Sequence, residues 1–233
     1  MRDREGLSMK LAIIADIHSN LQALKAVMRE IERADIDQVV CAGDIVGYGA
    51  NPNECCHIVG DSAAHAVLGN HEISALTEDT TGMNPHAAAA SRWTAAALEE
   101  GSQKFLMSLE IESKFEAGEM KVAMYHGSVG SATEYVFEDE INEDIVRSSG
   151  GDLLILGHTH MPYVKDFGSM MAINPGSVGQ PRDGDPRASF AVLDTDRRNC
   201  IVRRAGYDIG GASEAILAAG LPRLLADRLF LGR

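Results

Sequence analysis

Residues 153–161, LLILGHTHM, run four apolar side chains into a glycine and then into two histidines one residue apart. The apolar run has strand length and no alternation, as expected of a strand buried on both faces. In an extended chain, residues i and i+2 share a face. On that geometry His158 and His160 aim at one point just past the strand. Gly157 permits a sharp turn there without a Cβ penalty. Two imidazoles on one point suit a metal ion. The other reading is a polar turn closing a core strand, and one such pair does not separate the two.

The pattern recurs along the chain. LAIIAD ends at Asp16, with His18 as its i+2 partner. VVCAGD ends at Asp44, AVLGN at Asn70 with His71 next, and VAMYHG at His126. Each apolar run finishes in a ligand-type residue, usually beside a glycine. Between these runs lie helical patterns. Leu21, Leu24, Val27, Met28 and Ile31 recur at helical spacing, with Ser19 or Asn20 as cap. NPNECCHIVG predicts a short helix opened by Pro52 and closed by Gly60. Strand, helix, strand, helix, strand predicts an α/β sheet with crossover helices. In such sheets ligands bind beyond the carboxyl ends of the strands, so these ends converge if the strands share a sheet system.

The candidate ligands are two Asp (Asp16, Asp44), Asn70, and His18, His126, His158 and His160, with His71 left over. That set is too large for one tetrahedral zinc ion. It suits two divalent ions a few Å apart, bridged by a carboxylate. Imidazole and carboxylate ligation without thiolate points to Mn, Fe, Co, Ni or Zn rather than Mg or Ca.

Asp16-Ile-His18, Gly43-Asp44, Gly69-Asn70-His71-Glu72, His126-Gly127 and Gly157-His158-Thr159-His160 stand in an order that resembles the calcineurin-like metallophosphoesterases. INPGSVGQPRDGDPRASFAVLD extends the likeness to about residue 194. The resemblance implies a four-layer α/β/β/α sandwich with a dinuclear centre. It implies Asp16, His18 and His160 on one metal, Asn70, His126 and His158 on the other, and Asp44 between them. His71 would act on the leaving group or the attacked phosphate rather than ligate, and Asn70 and Arg182 would touch substrate. The implied reaction is in-line attack on phosphorus by a metal-bound hydroxide, with Mn²⁺ as the foremost metal. The nearest group is the small bacterial and archaeal phosphodiesterases. GDIVGYG lacks the arginine of the protein-phosphatase "GD" block, since Gly47 and Tyr48 stand there. The alternatives are a phosphomonoesterase or protein phosphatase, a dinucleoside polyphosphate hydrolase, and a non-catalytic binding module on the same fold.

Composition bounds the rest. The 233 residues allow one sizeable core, here a single domain over 1–233 with a helical insertion at about 72–109 and loops at Gly82 and Gly101. Net charge is −13, which does not fit stable nucleic-acid binding and disfavours a small anionic phosphoester substrate unless bound cations invert the local field. Apolar runs are too short for a bilayer, MRDREGLS predicts a loose leader, and Cys41, Cys55, Cys56 and Cys200 form no CxxC pair, so cytoplasm is the default. Residues 138–148 predict an acidic helix. His57, His65 and Arg187 are assigned as ordinary polar residues. His86 is a solvated helix position or faces the site. Trp93 packs the insertion on the body or stacks a base. Glu72 orients its neighbours. NPGS (174–177) is a plain turn or lets the backbone approach the site. Arg182, the only arginine placed near the site, suits bidentate phosphate contact. Leu221, Leu224, Leu225 and Leu229 form an apolar stripe for core docking or a dimer contact through the C-terminal helices.

Overall fold

A computed structural model describes residues 9–233; the expected leader lies outside the described residues. Among the described residues two five-stranded sheets face each other. The first is formed by β1 (Lys10–Ile14), β2 (Gln38–Cys41), β3 (Ala63–Ala66), β9 (Ala188–Asp194) and β10 (Asn199–Ala205), in the order β10-β9-β1-β2-β3. The second holds β4 (Glu112–Ala117), β5 (Met120–Tyr125), β6 (Leu153–Ile155), β7 (Tyr163–Asp166) and β8 (Met171–Asn174), in the order β4-β5-β6-β8-β7. β1, β2 and β3 run parallel, as do β5, β6 and β8. The central ligand-bearing strand ends therefore all open at the same side.

Alternation explains the layers. Leu11 and Ile13 of β1 meet Leu153 and Ile155 of β6 between the sheets. Ala12 and Ile14 turn instead to the helices α1 (Leu21–Glu32) and α2 (Pro52–Ser62). Leu154 and Leu156 turn to Val146 of α6 (Glu143–Ser149). Burial on both faces is why the runs are continuously apolar, and the result is the four-layer α/β/β/α sandwich.

Three helices connect β3 to β4: α3 (Asn70–Thr77), α4 (Pro85–Ala97) and α5 (Glu100–Met107). Gly82 lies in a loop with φ +81°, but Gly101 sits inside α5 rather than in a loop. Gly60 does not end α2, which runs on to Ser62 with Phe105 packed over the glycine. The acidic helix starts only at Glu143, where the Asn142 side chain caps it. Asn20, not Ser19, caps α1 by accepting from the Ala23 N–H at 3.1 Å.

The chain closes with α7 (Ile209–Ala218), α8 (Arg223–Asp227) and a 3-10 turn (Arg228–Leu231). Leu221, Leu225 and Leu229 are buried against Tyr48 and the α4 residues Ala87 and Ala90, with Trp93 partly buried beside them. Leu224 departs from the expected stripe: it is 51% exposed, because only the i, i+4, i+8 positions face this cluster. Among the described residues no helix is long and apolar enough to cross a membrane.

Candidate metal centre

The expected ligands do gather, but not by the geometry that their spacing implies. Asp16, His18, Asp44, His158 and His160 all have positive φ, between 50° and 65°. None of them continues a strand. β6 stops at Ile155, and His158 and His160 leave the tight turn toward different groups. Asp and His are among the non-glycine residues that tolerate the left-handed region best. The loops are held by backbone bonds between strand ends: Asp16 N–H to Gly43 O at 3.0 Å and His18 N–H to Asp44 O at 2.9 Å. Gly157 serves close approach rather than a left-handed turn; a Cβ there would lie 3.1 Å from the Asp16 carboxylate. At Gly69 a Cβ would collide with the Asp44 carboxylate.

Each of the four histidines has one ring nitrogen on a backbone carbonyl. His18 Nδ1 meets Val46 O at 3.2 Å, His126 Nδ1 meets Ala42 O at 2.8 Å, His160 Nδ1 meets Gln180 O at 2.6 Å, and His158 Nε2 meets Thr133 O at 3.1 Å. A carbonyl only accepts, so these nitrogens carry the protons and the opposite ones are bare when the ring is neutral. The bare nitrogens then face one another: His18 Nε2 and His160 Nε2 at 3.0 Å, His126 Nε2 and His158 Nδ1 at 3.2 Å. Two lone pairs at that distance repel unless a cation or proton lies between.

The carboxylates complete the arrangement. Asp16 Oδ1 is 3.2 Å from His160 Nε2 and 3.7 Å from His18 Nε2. Asp44 Oδ2 is 3.2 Å from His126 Nε2 and 3.7 Å from His18 Nε2, so it touches both groups. Asp16 Oδ1 and Asn70 Oδ1 are buried without a hydrogen-bond partner among the described residues. Asp16, His18 and His160 form one possible cation cluster; Asp44, His126 and His158 form another; Asp44 also groups with His18 and His71. Orphaned oxygens and opposed bare nitrogens in a closed space fit divalent cations of the kind that the resemblance implies.

The charge states agree. Burial pushes His18 well below its ordinary value, lowers His160 and His71, and takes His158 down to about 4. These rings are neutral near pH 7, as ligands must be. Burial also disfavours a charged His126, but the Asp44 carboxylate, its hydrogen bond and then Asp16 outweigh it and raise His126 to about 10. A proton thus stands where a cation would bind. Burial would raise Asp44 too, yet His126 and His71 hold it well below the usual carboxylate range.

A cleft of about 500 Å³ opens onto this cluster, lined by Asp44, Asn70, His71, His160 and Arg182 among others. The loop between α3 and α4 borders it through Asp79, Thr81 and Asn84. His71 donates its backbone N–H to Asp44 Oδ1 at 2.9 Å, and its ring lies 4.8 Å from that of His18. Arg182 enters the cleft as its sequence position suggests. Arg187 stays outside, bound to Asp185. His57 and His86 are exposed, and His65 stacks on Phe115 away from the cluster.

Several parts escape sequence reasoning. Tyr48, met there only as the place of a missing arginine, is buried with its ring 4.6 Å from His18 and 4.4 Å from His71. Tyr135 stacks on His158 at 4.0 Å. NPGS is a brace as well as a turn. Asn174 Nδ2 donates to Gly157 O at 2.7 Å and Thr159 Oγ1 at 3.1 Å, and Ser177 Oγ donates to Asp16 O at 2.7 Å. Glu72 orients its surroundings as expected, accepting the N–H groups of Asp44 at 2.8 Å, Val46 at 2.9 Å and Gly69 at 2.7 Å. Burial and then the Asp44 charge raise it to about 7, against the Val46 and Gly69 N–H donors and the His126 charge.

Known proteins resemble this chain over most of its length. The uncharacterised protein MJ0912 of Methanocaldococcus jannaschii is 38% identical over 96% of this chain and 98% of its own length. Phosphodiesterase YfcE of Escherichia coli K12 is 26% identical over 81% of this chain and 89% of its own. A metallophosphoesterase structure from Sphaerobacter thermophilus superposes with a TM-score of 0.84 at 33% identity, covering 97% of this chain and all of that one. The family model of the calcineurin-like phosphoesterase superfamily domain matches residues 9–198, a stretch that holds every residue of the cluster, and the chain belongs to that metal-dependent family.

Proposed function

We propose that this chain is a phosphodiesterase working with two divalent ions, held as the resemblance assigns them: Asp16, His18 and His160 on one, Asn70, His126 and His158 on the other, Asp44 between. The observation that carries the reading is the convergence of imidazole nitrogens in two groups, both touched by Asp44. When bound, such ions supply Lewis acidity and a nucleophilic water at neutral pH. The thiolate-free donor set suits Mn, Fe, Co, Ni or Zn, and Mn²⁺ stands foremost among them, as the resemblance implies.

The chain's own residues do the remainder. The reaction class is in-line displacement on phosphorus by water. Arg182 presents a guanidinium to the cleft, held by Gln180 Oε1 at 3.3 Å, and suits a non-bridging phosphate oxygen. His71 is held by its backbone bond to Asp44 and is neutral in the free protein. An arriving phosphate anion raises its pKa, which readies the ring to protonate the leaving oxygen. A diester carries one negative charge per phosphate and so needs fewer cations than a monoester dianion. The E. coli relative's phosphodiesterase name supports the same choice. Four free thiols, three of them buried, suit a reducing cytoplasm.

The test is elemental analysis with anomalous scattering, and kcat/KM for bis-p-nitrophenyl phosphate against p-nitrophenyl phosphate in Mn²⁺. Two ions per chain and a diester preference are expected. One ion at full loading, or Asp44 remote from it, overturns the ligand assignment. A monoester preference of about tenfold, about 1.4 kcal/mol in the barrier, overturns the diester reading.

A further inference from the structure

Tyr48 lines the metal cleft together with Asp44, His71, His160 and Arg182. Its ring is tilted by 55° against both His18 and His71. It also belongs to the apolar cluster of Ala87, Ala90, Leu225 and Leu229, which backs it. The chain is bent to put it there. Tyr48 has φ +54°, and a bulky side chain in the left-handed region is an outlier of the kind that gathers at active sites. A glycine stands on each side. A Cβ on Gly47 would collide with the His71 ring, and one on Gly49 would lie 2.5 Å from His18 O. Gly49 N–H donates to His18 O at 3.0 Å. The segment is threaded between the loops that carry His18 and His71, and this holds the Tyr48 ring beside both.

The five tyrosine hydroxyls differ in what they do. Tyr125 donates to Glu112 Oε2 at 2.7 Å, and Tyr163 donates to Val136 O at 3.3 Å. Tyr207 has no partner and is sealed from solvent. Tyr135 stands at the cleft rim, 47% exposed. Tyr48 combines a ring that is only 7% exposed with a hydroxyl that bonds no described residue and is not sealed off. A phenol is protonated at neutral pH and has a proton to donate. Nothing in the fold uses that proton, since phenylalanine would fill the same space. The cleft that the hydroxyl meets also holds Arg182, whose Nε is likewise without a partner. Unused donors gathered over a metal cluster suit the oxygens of an anion.

We propose that Tyr48 is a substrate-binding residue whose phenolic O–H donates to a non-bridging oxygen of the attacked phosphate, beside Arg182. The contacts of its ring with His18 and His71 fix where the hydroxyl stands relative to the metal ligands. A phenol is a neutral donor and adds no charge to the cleft, which fits a phosphate with a single negative charge. This rests on the phosphodiesterase reading and adds a residue to it.

Tyr48→Phe removes the hydroxyl and keeps the ring. The variant should retain the wild-type melting temperature and Mn²⁺ content, because no described residue bonds that hydroxyl. Inorganic phosphate is titrated by calorimetry into Mn²⁺-saturated wild type and variant. Tyr48→Phe should bind it about tenfold more weakly, about 1.4 kcal/mol. The same variant should lose at least about tenfold in kcat/KM for bis-p-nitrophenyl phosphate. A folded, metal-loaded Tyr48→Phe that binds phosphate within about twofold of wild type overturns the donor. So does a wild type that binds no phosphate. A variant that melts lower or loses Mn²⁺ shows that the hydroxyl serves the fold, and overturns the proposal as well. A wild type that binds phosphate but hydrolyses no phosphodiester refutes the proposed function, and the phosphate comparison still decides the role of Tyr48.

Discussion

Glu72 makes the sharpest test of how the centre is built. Its carboxylate, fully buried, accepts three backbone N–H groups, two on Oε2 (Asp44 and Gly69) and one on Oε1 (Val46). Glu72→Ala strands all three donors. At about 1–3 kcal/mol for each unsatisfied buried group the cost is about 3–9 kcal/mol before any water enters. Native stabilities are only about 5–15 kcal/mol, so most of the fold's margin is at stake. Glu72→Gln is milder. Its amide oxygen can keep the Asp44 and Gly69 donors if the NH₂ faces Val46, which leaves one donor opposed to a donor. We expect about 2–4 kcal/mol for that variant. The assay is urea unfolding by circular dichroism in chelator, which removes stabilisation from bound metal. Mn²⁺ affinity should fall as well, by about 10–100-fold, since Glu72 fixes the backbone of Asp44. A Glu72→Ala protein within about 1 kcal/mol of wild type would refute the brace.

Other perturbations follow from the same geometry. His71→Ala should keep its metals by elemental analysis and lose about 10²–10⁴-fold in kcat; loss of metal would make His71 a ligand instead. Gly69→Ala should drive a methyl into the Asp44 carboxylate and lower metal content while the circular dichroism spectrum stays native. Chelation should lower the melting temperature, and Mn²⁺ should restore it in a concentration-dependent way, because bound ions separate the opposed nitrogens; a melting temperature indifferent to both would remove the metal from the argument.

Much of this was legible in the sequence for a definite reason. Strands buried on both faces must be continuously apolar, so a polar residue at the end of such a run marks where the chain leaves the sheet. Runs ending at Asp16, Asp44, Asn70, His126 and His158 therefore identified the loops that meet beyond the strands. Residue chemistry supplied the donor set. Spacing misled wherever backbone conformation mattered. The i, i+2 argument assumed extended residues at 158 and 160, yet both are left-handed, and the two rings join different groups. Gly60 and Gly101 looked like breaks because glycine is a poor helix former, but packing of Phe105 over α2 holds the helix through Gly60. Local propensity is worth about 1 kcal/mol at such positions, and tertiary burial exceeds it.

The residues that sequence could not reach share one feature: they arrive by docking of distant segments. Tyr48 follows the Asp44 block by four residues, yet its role depends on α4 and the C-terminal helices closing over it. Tyr135 stacks on His158 from the segment between β5 and α6, outside every motif. The cations of the cleft bear on bond class. A chain with Arg182 as its sole cation near two metals would be suited to one singly charged phosphate. A phosphatase that clamps a monoester dianion concentrates its cations on one phosphate; among the described residues Arg182 is the one arginine lining the metal cleft, which suits the single charge of a diester.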